Sequence, residues 1–188
     1  MIGALQAALE LQSFCKQQAW RFCFIGGIAL QRWADPRFTV DADLTLLTGF
    51  GTEDEYVRAL LSAFTPRTKD ESSDAVLRRV VLLYSSSGVH LDVALGALPF
   101  EENSVERSSS WSIGADASLT TCSAEDLIVH KAFAARSKDW SDVENIVFRQ
   151  GRKLNIEQIW MELRPLVAAK EEPEILTKLE QIFDNHLD

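Results

Sequence analysis

The chain has 188 residues, of which 46% are hydrophobic and 25% charged, the composition of an ordinary soluble globular protein long enough to bury a substantial core. Nineteen lysines and arginines against 28 aspartates and glutamates leave a net charge of −9, which repels polyanions at long range, so any contact with nucleic acid has to be local. Its apolar runs are too short to span a membrane, its first residues carry no basic leader, and Cys15, Cys23 and Cys122 show no CxxC spacing; a cytoplasmic protein without a disulfide framework or a structural zinc is expected.

Taken in chain order, residues 2–18 are predicted helical, with Leu5, Leu9 and Phe14 spaced by turns, and residues 21–25 ("RFCFI") read as a buried strand. Gly26 and Gly27 separate that strand from a short helix over 28–34, which Asp35 and Pro36 end. A strand over 37–47 follows, then a helix over 53–64 opened by a capping box of Thr52 and Glu55. "AVLRRVVLLYSSSGVHLDVALG" reads as two strands joined by a serine and glycine turn, an antiparallel hairpin. After a serine-rich loop at 104–110 and a short strand near 111–113, the remainder is helical. Ser123 with Asp126 caps a helix to about Arg136, a second covers 139–149, and Asn155 with Gln158 opens a third whose Ile156, Ile159, Trp160 and Leu163 form one stripe. Pro173 starts a fourth, with Ile175, Leu179, Ile182 and Phe183 facing inward. The expected fold class is α+β: a small mixed sheet flanked by helices over residues 1–120, and a helical C-terminal region over 121–188 packed on it.

Side-chain alternation brings out the chemistry. In the strand over 37–47, Arg37, Thr39, Asp41 and Asp43 share one face, and Phe38, Val40, Ala42 and Leu44 share the other, which belongs to the core. Adjacent carboxylates repel and aspartate is disfavoured in strands, so a cation between Asp41 and Asp43 makes the arrangement natural, and magnesium suits carboxylate oxygen. In "GVHLDVALG", Val89, Leu91, Val93 and Leu95 form the apolar face while His90, Asp92 and Ala94 form the other, where His90 reads as a packing residue. Should the two strands be neighbours, three carboxylates converge, the set required for phosphoryl transfer by two metal ions roughly 3.5–4 Å apart. Gly26 and Gly27, between a strand and a helix start, offer backbone N–H groups to a phosphate.

Lys131 stands on an otherwise apolar stripe of Ala124, Leu127, Ile128 and Ala135, where an ammonium either snorkels or meets an anion. On the second reading it reaches a triphosphate or the carboxylates, and Lys131→Met costs triphosphate affinity while modestly raising stability. Asp139 and Asp142, at the start of the next helix, suit its dipole. Arg78, Arg79, Arg149, Arg152 and Lys153 are the candidate local basic track.

"IGGIALQRWADPRFTVDADL" followed by "LDVALG" resembles the nucleotidyltransferases of the DNA polymerase beta-like superfamily, whose pattern is Gly-Gly or Gly-Ser, a helix, Asp-x-Asp and a later strand aspartate. The RxTxDxDL form, with "SAEDLIVHKAFAARSKDWSDV" downstream, looks more narrowly like the AbiEii-type toxins and related small nucleotidyltransferases, over roughly residues 20–148. The resemblance implies the nucleotidyltransferase fold. It also implies that Gly26, Gly27, Arg37 and Lys131 hold a nucleoside triphosphate, that Asp41 and Asp43 bind the magnesium that carries it, and that Asp92 helps hold a second ion and aligns the attacking hydroxyl. Gly27 stands where many relatives have serine. The implied reaction moves a nucleoside monophosphate to an acceptor hydroxyl with loss of pyrophosphate. RNA, particularly transfer RNA, is the first expected acceptor, a protein next and a small molecule third, and an antitoxin is an expected partner. The alternative is a nucleotide- or partner-binding module of the same fold with little turnover.

Overall fold

The computed structural model describes residues 2–69 and 71–187. In chain order its elements are α1 (Ile2–Gln17), β1 (Phe22–Phe24), α2 (Gly26–Trp33), β2 (Asp41–Leu47), α3 (Glu53–Ala63), β3 (Thr65–Pro66), α4 (Glu71–Arg78), β4 (Val80–Tyr84), β5 (His90–Gly96), α5 (Pro99–Glu106), β6 (Ser109–Ser112) and β7 (Ser118–Thr121), then α6 (Ala124–Ala134), α7 (Ser137–Gln150), a 3-10 turn at Gly151–Lys153, α8 (Ile156–Lys170) and α9 (Glu174–Leu187). They fall into two compact units, one holding residues up to 28 with 38–122, the other 29–37 with those from 123 onward. None of the described helices is long and apolar enough to cross a membrane.

Among the described residues, the seven strands belong to the first unit and form one mixed sheet in the order β3-β4-β5-β2-β1-β7-β6. At its centre β2 and β5 run parallel. Ala42, Leu44 and Leu46 of β2, with Leu91, Val93 and Leu95 of β5, are buried in one cluster with Ala4, Ala7, Ala8 and Leu11 of α1. The small residues of α1 let the helix lie close to the sheet, so period 2 and period 3.6 meet on one apolar face. On the opposite face α5 packs against β1 and β2: Cys23 Sγ lies 3.9 Å from Ser104 Oγ, and a Cβ on Gly96 would lie 3.4 Å from Glu101 Cβ. The polar face of β2 is thereby covered beside Thr45, while Asp41 and Asp43 retain partial exposure.

Four sequence expectations change. The central strand begins at Asp41, not residue 37, because its partner begins at His90, which lies opposite Asp41. Without that pairing the alternation lapses, and Phe38 and Val40, expected in the core, are 71% and 56% exposed. Residues 75–78, expected in a strand, complete α4; the chain then reverses at Arg79, whose φ is +53°, and enters β4. Arg79 is anchored there by Glu53, by Leu95 O and by Gly49 O at 3.1 Å. The Thr52 hydroxyl donates to Thr48 O and does not cap α3. Helix α5 and strand β7 have no counterpart in the sequence reading; α5 opens on Pro99, with Glu101 accepting 2.8 Å bonds from the N–H groups of Ala97 and Leu98.

The second unit is built by its caps and stripes. Ser123 Oγ accepts from Asp126 N at 3.0 Å and Asn155 Oδ1 from Gln158 N at 3.1 Å, satisfying free donors of α6 and α8. Ile175, Leu179, Ile182 and Phe183 of α9 are buried, and Phe183 meets Trp160 of α8 edge-on at 5.6 Å. Residues 29–37 join this unit through hydrogen bonds to α7: Gln150 Nε2 donates to Trp33 O at 2.6 Å, Asp35 N reaches Asn145 Oδ1 at 3.5 Å, and Arg149 pairs with Asp35. Burial in α6 pulls the His130 imidazole down to about 4, so it is neutral at pH 7.

Candidate functional site

The parallel register of β2 and β5 sets Asp41 opposite His90 and Asp43 opposite Asp92. In-register neighbours share a face, so the three carboxylates that the alternation singled out lie on the same side of the sheet, away from the leucines. Asp43 and Asp92 are side by side.

The glycine turn closes on this face. Ile25 N–H donates to Asp43 O at 3.0 Å, and Gly27 N–H to Asp43 Oδ2 at 3.4 Å. Gly26 has a φ of +55°, and a Cβ built on it would lie 2.0 Å from Asp43 Oδ2. Gly27 faces Thr39, whose Oγ1 would sit 2.3 Å from an added Cβ. The absence of serine at 27 thus has a local counterpart: Thr39, 7% exposed, already fills that space and places a hydroxyl beside the turn. Both glycines are therefore required by close approach of side chains from the segment leading into β2 and from β2 itself.

Two of the carboxylates have basic partners. Arg67 Nη2 lies 3.0 Å from Asp92 Oδ1, and His90 Nδ1 lies 3.5 Å from Asp41 Oδ1. His90 is half exposed and tilted against the Tyr84 ring at 5.4 Å, so it is an acid's neighbour as well as a packing residue. Arg67 was invisible in the sequence. It follows the two-residue edge strand β3, too short to leave an alternation signal.

Magnesium fits these residues in kind. Three carboxylates on one face supply hard oxygen donors, and the Gly26 cradle fixes the side chain of the central one. Among the described residues, however, no group of three or more His, Cys, Asp or Glu side chains stands close enough to hold an ion in the present arrangement.

In the second unit, Arg37 and Lys131 meet on one carboxylate. Arg37 grips Asp142 bidentately, Nε to Oδ1 and Nη2 to Oδ2 both at 2.8 Å, and Lys131 Nζ lies 2.6 Å from Asp142 Oδ2 and 3.3 Å from Asp139 Oδ1. Arg136 Nη2 adds a 3.3 Å bond to Asp139 Oδ1. Burial opposes ionisation of Asp142, but the hydrogen bonds from Arg37 and Lys131, with their charges, outweigh it and hold the carboxyl below its ordinary value. Asp139 and Asp142 are buried counter-ions, where the sequence reading favoured the helix dipole. This reverses one expected sign. Lys131→Met is now expected to destabilise the protein by roughly 2–3 kcal/mol, since buried carboxylates lose a partner while Arg37 and Arg136 remain. Denaturant unfolding checks it; a midpoint at or above that of the native protein would show that the ammonium costs more to bury than it returns.

The basic track is largely committed elsewhere. Arg79 serves Glu53 and two carbonyls, Arg78 Nε donates to Val80 O at 2.9 Å, and Arg149 pairs with Asp35, leaving Arg152 and Lys153 exposed within the 3-10 turn.

The family described as nucleotidyl transferase AbiEii toxin, type IV TA system, matches residues 11–187. No curated protein matches the chain. Among solved structures, the solution structure of the antibiotic-resistance factor ANT(2'')-Ia aligns over 90% of this chain and 94% of its own, with a TM-score of 0.58 at 13% identity. The same factor in complex with adenylyl-2''-tobramycin covers 88% and 98%, with a TM-score of 0.53 at 12% identity. The lincosamide antibiotic adenylyltransferase LnuA, lincomycin-bound, covers 75% and 94%, with a TM-score of 0.51 at 11% identity. At these identities the likeness is one of fold. Matched over nearly its whole length, the chain belongs to the AbiEii family of nucleotidyl transferases.

Proposed function

We propose that the protein transfers a nucleoside monophosphate from a nucleoside triphosphate to a hydroxyl of RNA, with transfer RNA favoured, and that it does so in the cytoplasm beside an antitoxin. The observation that carries this reading is the register pairing Asp43 with Asp92 next to the Gly26–Gly27 turn. The turn lets a phosphate approach the backbone at the start of α2, where the helix dipole favours an anion. Asp41, Asp43 and Asp92 are the proposed magnesium ligands, and the bound ion supplies charge neutralisation for the triphosphate and the departing pyrophosphate. Asp92 Oδ orients the acceptor hydroxyl and takes its proton. Arg37 and Lys131 are proposed nucleotide contacts, set as a pair by the carboxylate they share. Of the two, Arg37 has the more exposed side chain, 43% against 6%, and is the better placed to exchange its carboxylate for a phosphate.

A small-molecule acceptor is the second reading, favoured by the net charge of −9 and by the commitment of Arg79 and Arg149 to local partners. The test offers each labelled triphosphate with magnesium to cell RNA, to cell protein and to an aminoglycoside and a lincosamide. Label is expected on RNA. With only two or so phosphate contacts, a fourfold rise in salt should weaken RNA binding by roughly tenfold. Label on protein, or on an antibiotic, at both salts removes RNA as the acceptor.

A further inference from the structure

The two carboxylates that flank the candidate site on either strand each carry a basic side chain from the same sheet: Asp92 has Arg67 and Asp41 has His90. Arg67 is brought there by backbone pairing. Its N–H donates to Leu82 O at 3.0 Å, continuing the β3–β4 ladder by one residue, and Leu82 is the register partner of Asp92 on β5. An arginine at the end of a two-residue edge strand has ready access to water. Instead its side chain is 17% exposed and its Nη2 lies 3.0 Å from Asp92 Oδ1, an ion pair rather than an aligned hydrogen bond. A cation placed there competes with any metal ion for the same oxygen.

We infer that Arg67 is a positioning residue for nucleotidyl transfer: a counter-ion that holds Asp92 while the metal is absent and surrenders it when metal arrives with the triphosphate. The inference rests on the magnesium reading above. Holding Asp92 against Arg67 offsets the repulsion among carboxylates that share a face, and so keeps the side chain in place before substrate binds. The cost is that a free divalent ion must displace a guanidinium. The triphosphate removes that cost, since its negative charge gives the released guanidinium a new partner. The chain thereby takes up metal chiefly as the metal–nucleotide complex.

Manganese binding, followed by electron paramagnetic resonance without nucleotide, tests this apart from turnover. Arg67→Gln is expected to bind manganese at least about tenfold tighter than the native protein, since removing one positive charge about 6 Å from a divalent ion is worth that much even in a water-like dielectric. Arg67→Lys, which keeps the charge, is expected to bind it as the native protein does, and Arg67→Gln is expected to lose kcat and to raise KM for the triphosphate, whose charge the released guanidinium would meet. If Arg67→Gln does not refold, Arg67→Met, which keeps the bulk of the stem, replaces it. Equal or weaker manganese binding by a folded, uncharged variant overturns the inference. Native manganese affinity in Asp43→Asn overturns the metal reading itself, whatever Arg67 does.

Discussion

Asp43→Asn is expected to cut nucleotidyl transfer roughly a thousandfold, about 4 kcal/mol in the barrier, while leaving the fold intact. Asparagine has nearly the same volume, and its amide oxygen still accepts from Gly27 N–H, the 3.4 Å bond that ties the strand to the glycine turn. The backbone bond from Ile25 N to Asp43 O does not involve the side chain at all. What is lost is one negative charge between Asp41, two residues away on the same face, and Asp92, its register partner. Removing a like charge from such a cluster leaves stability unchanged or raises it by less than about 1 kcal/mol. The pairing of outcomes is the diagnostic. Label transfer measures the first and thermal unfolding the second. A folded Asp43→Asn protein that retains more than roughly a tenth of native turnover would remove this carboxylate from the reaction, because loss of a required metal ligand costs far more than that.

Gly26→Ala is expected to lower stability by about 2–4 kcal/mol and turnover by roughly a hundredfold. A left-handed backbone costs a residue with a Cβ about 1–2 kcal/mol, and Gly26 holds a φ of +55°. The second contribution is steric: the new methyl would lie 2.0 Å from Asp43 Oδ2 and 2.6 Å from its Cγ, so the carboxylate must swing off the turn. The two parts separate in a double-variant cycle. In an Asp43→Ala background the oxygen and Cγ are gone and only Cβ, 2.9 Å from the new methyl, is left to clash, so Gly26→Ala should then cost the backbone part, about 1–2 kcal/mol, with a reduced steric part. Equal costs in the two backgrounds would show that the turn and Asp43 are not coupled. Gly27→Ala serves as a contrast. Gly27 has no left-handed φ and its added methyl meets Thr39, at 2.3 Å from Oγ1, so Thr39→Ala, which removes that oxygen, should relieve much of its cost, whereas Thr39→Ser, which keeps it, should not.

What was legible in the sequence was what local periodicity encodes. Alternation along β2 and β5 assigned Asp41, Asp43 and Asp92 to the face opposite Ala42, Leu44, Leu91 and Val93, because successive side chains of a strand must point to opposite sides whatever the strand pairs with. Ser123 and Asn155 announced α6 and α8 because a cap is satisfied within three residues, and the stripe of α9 follows from 3.6 residues per turn. Where an element's form depends on its neighbour, the reading failed. The strand began four residues late because pairing with β5 starts at His90, and the short α5 and β7 exist by virtue of the sheet they cover or extend. The tertiary structure alone decided that β5 lies beside β2 with Asp92 at Asp43, that Arg67 reaches Asp92 from 25 positions earlier in the chain, and that Arg37 and Lys131, 94 positions apart, share Asp142. These partners are matched by sheet register and helix packing, which depend on the burial of whole faces, and no spacing within one segment records them.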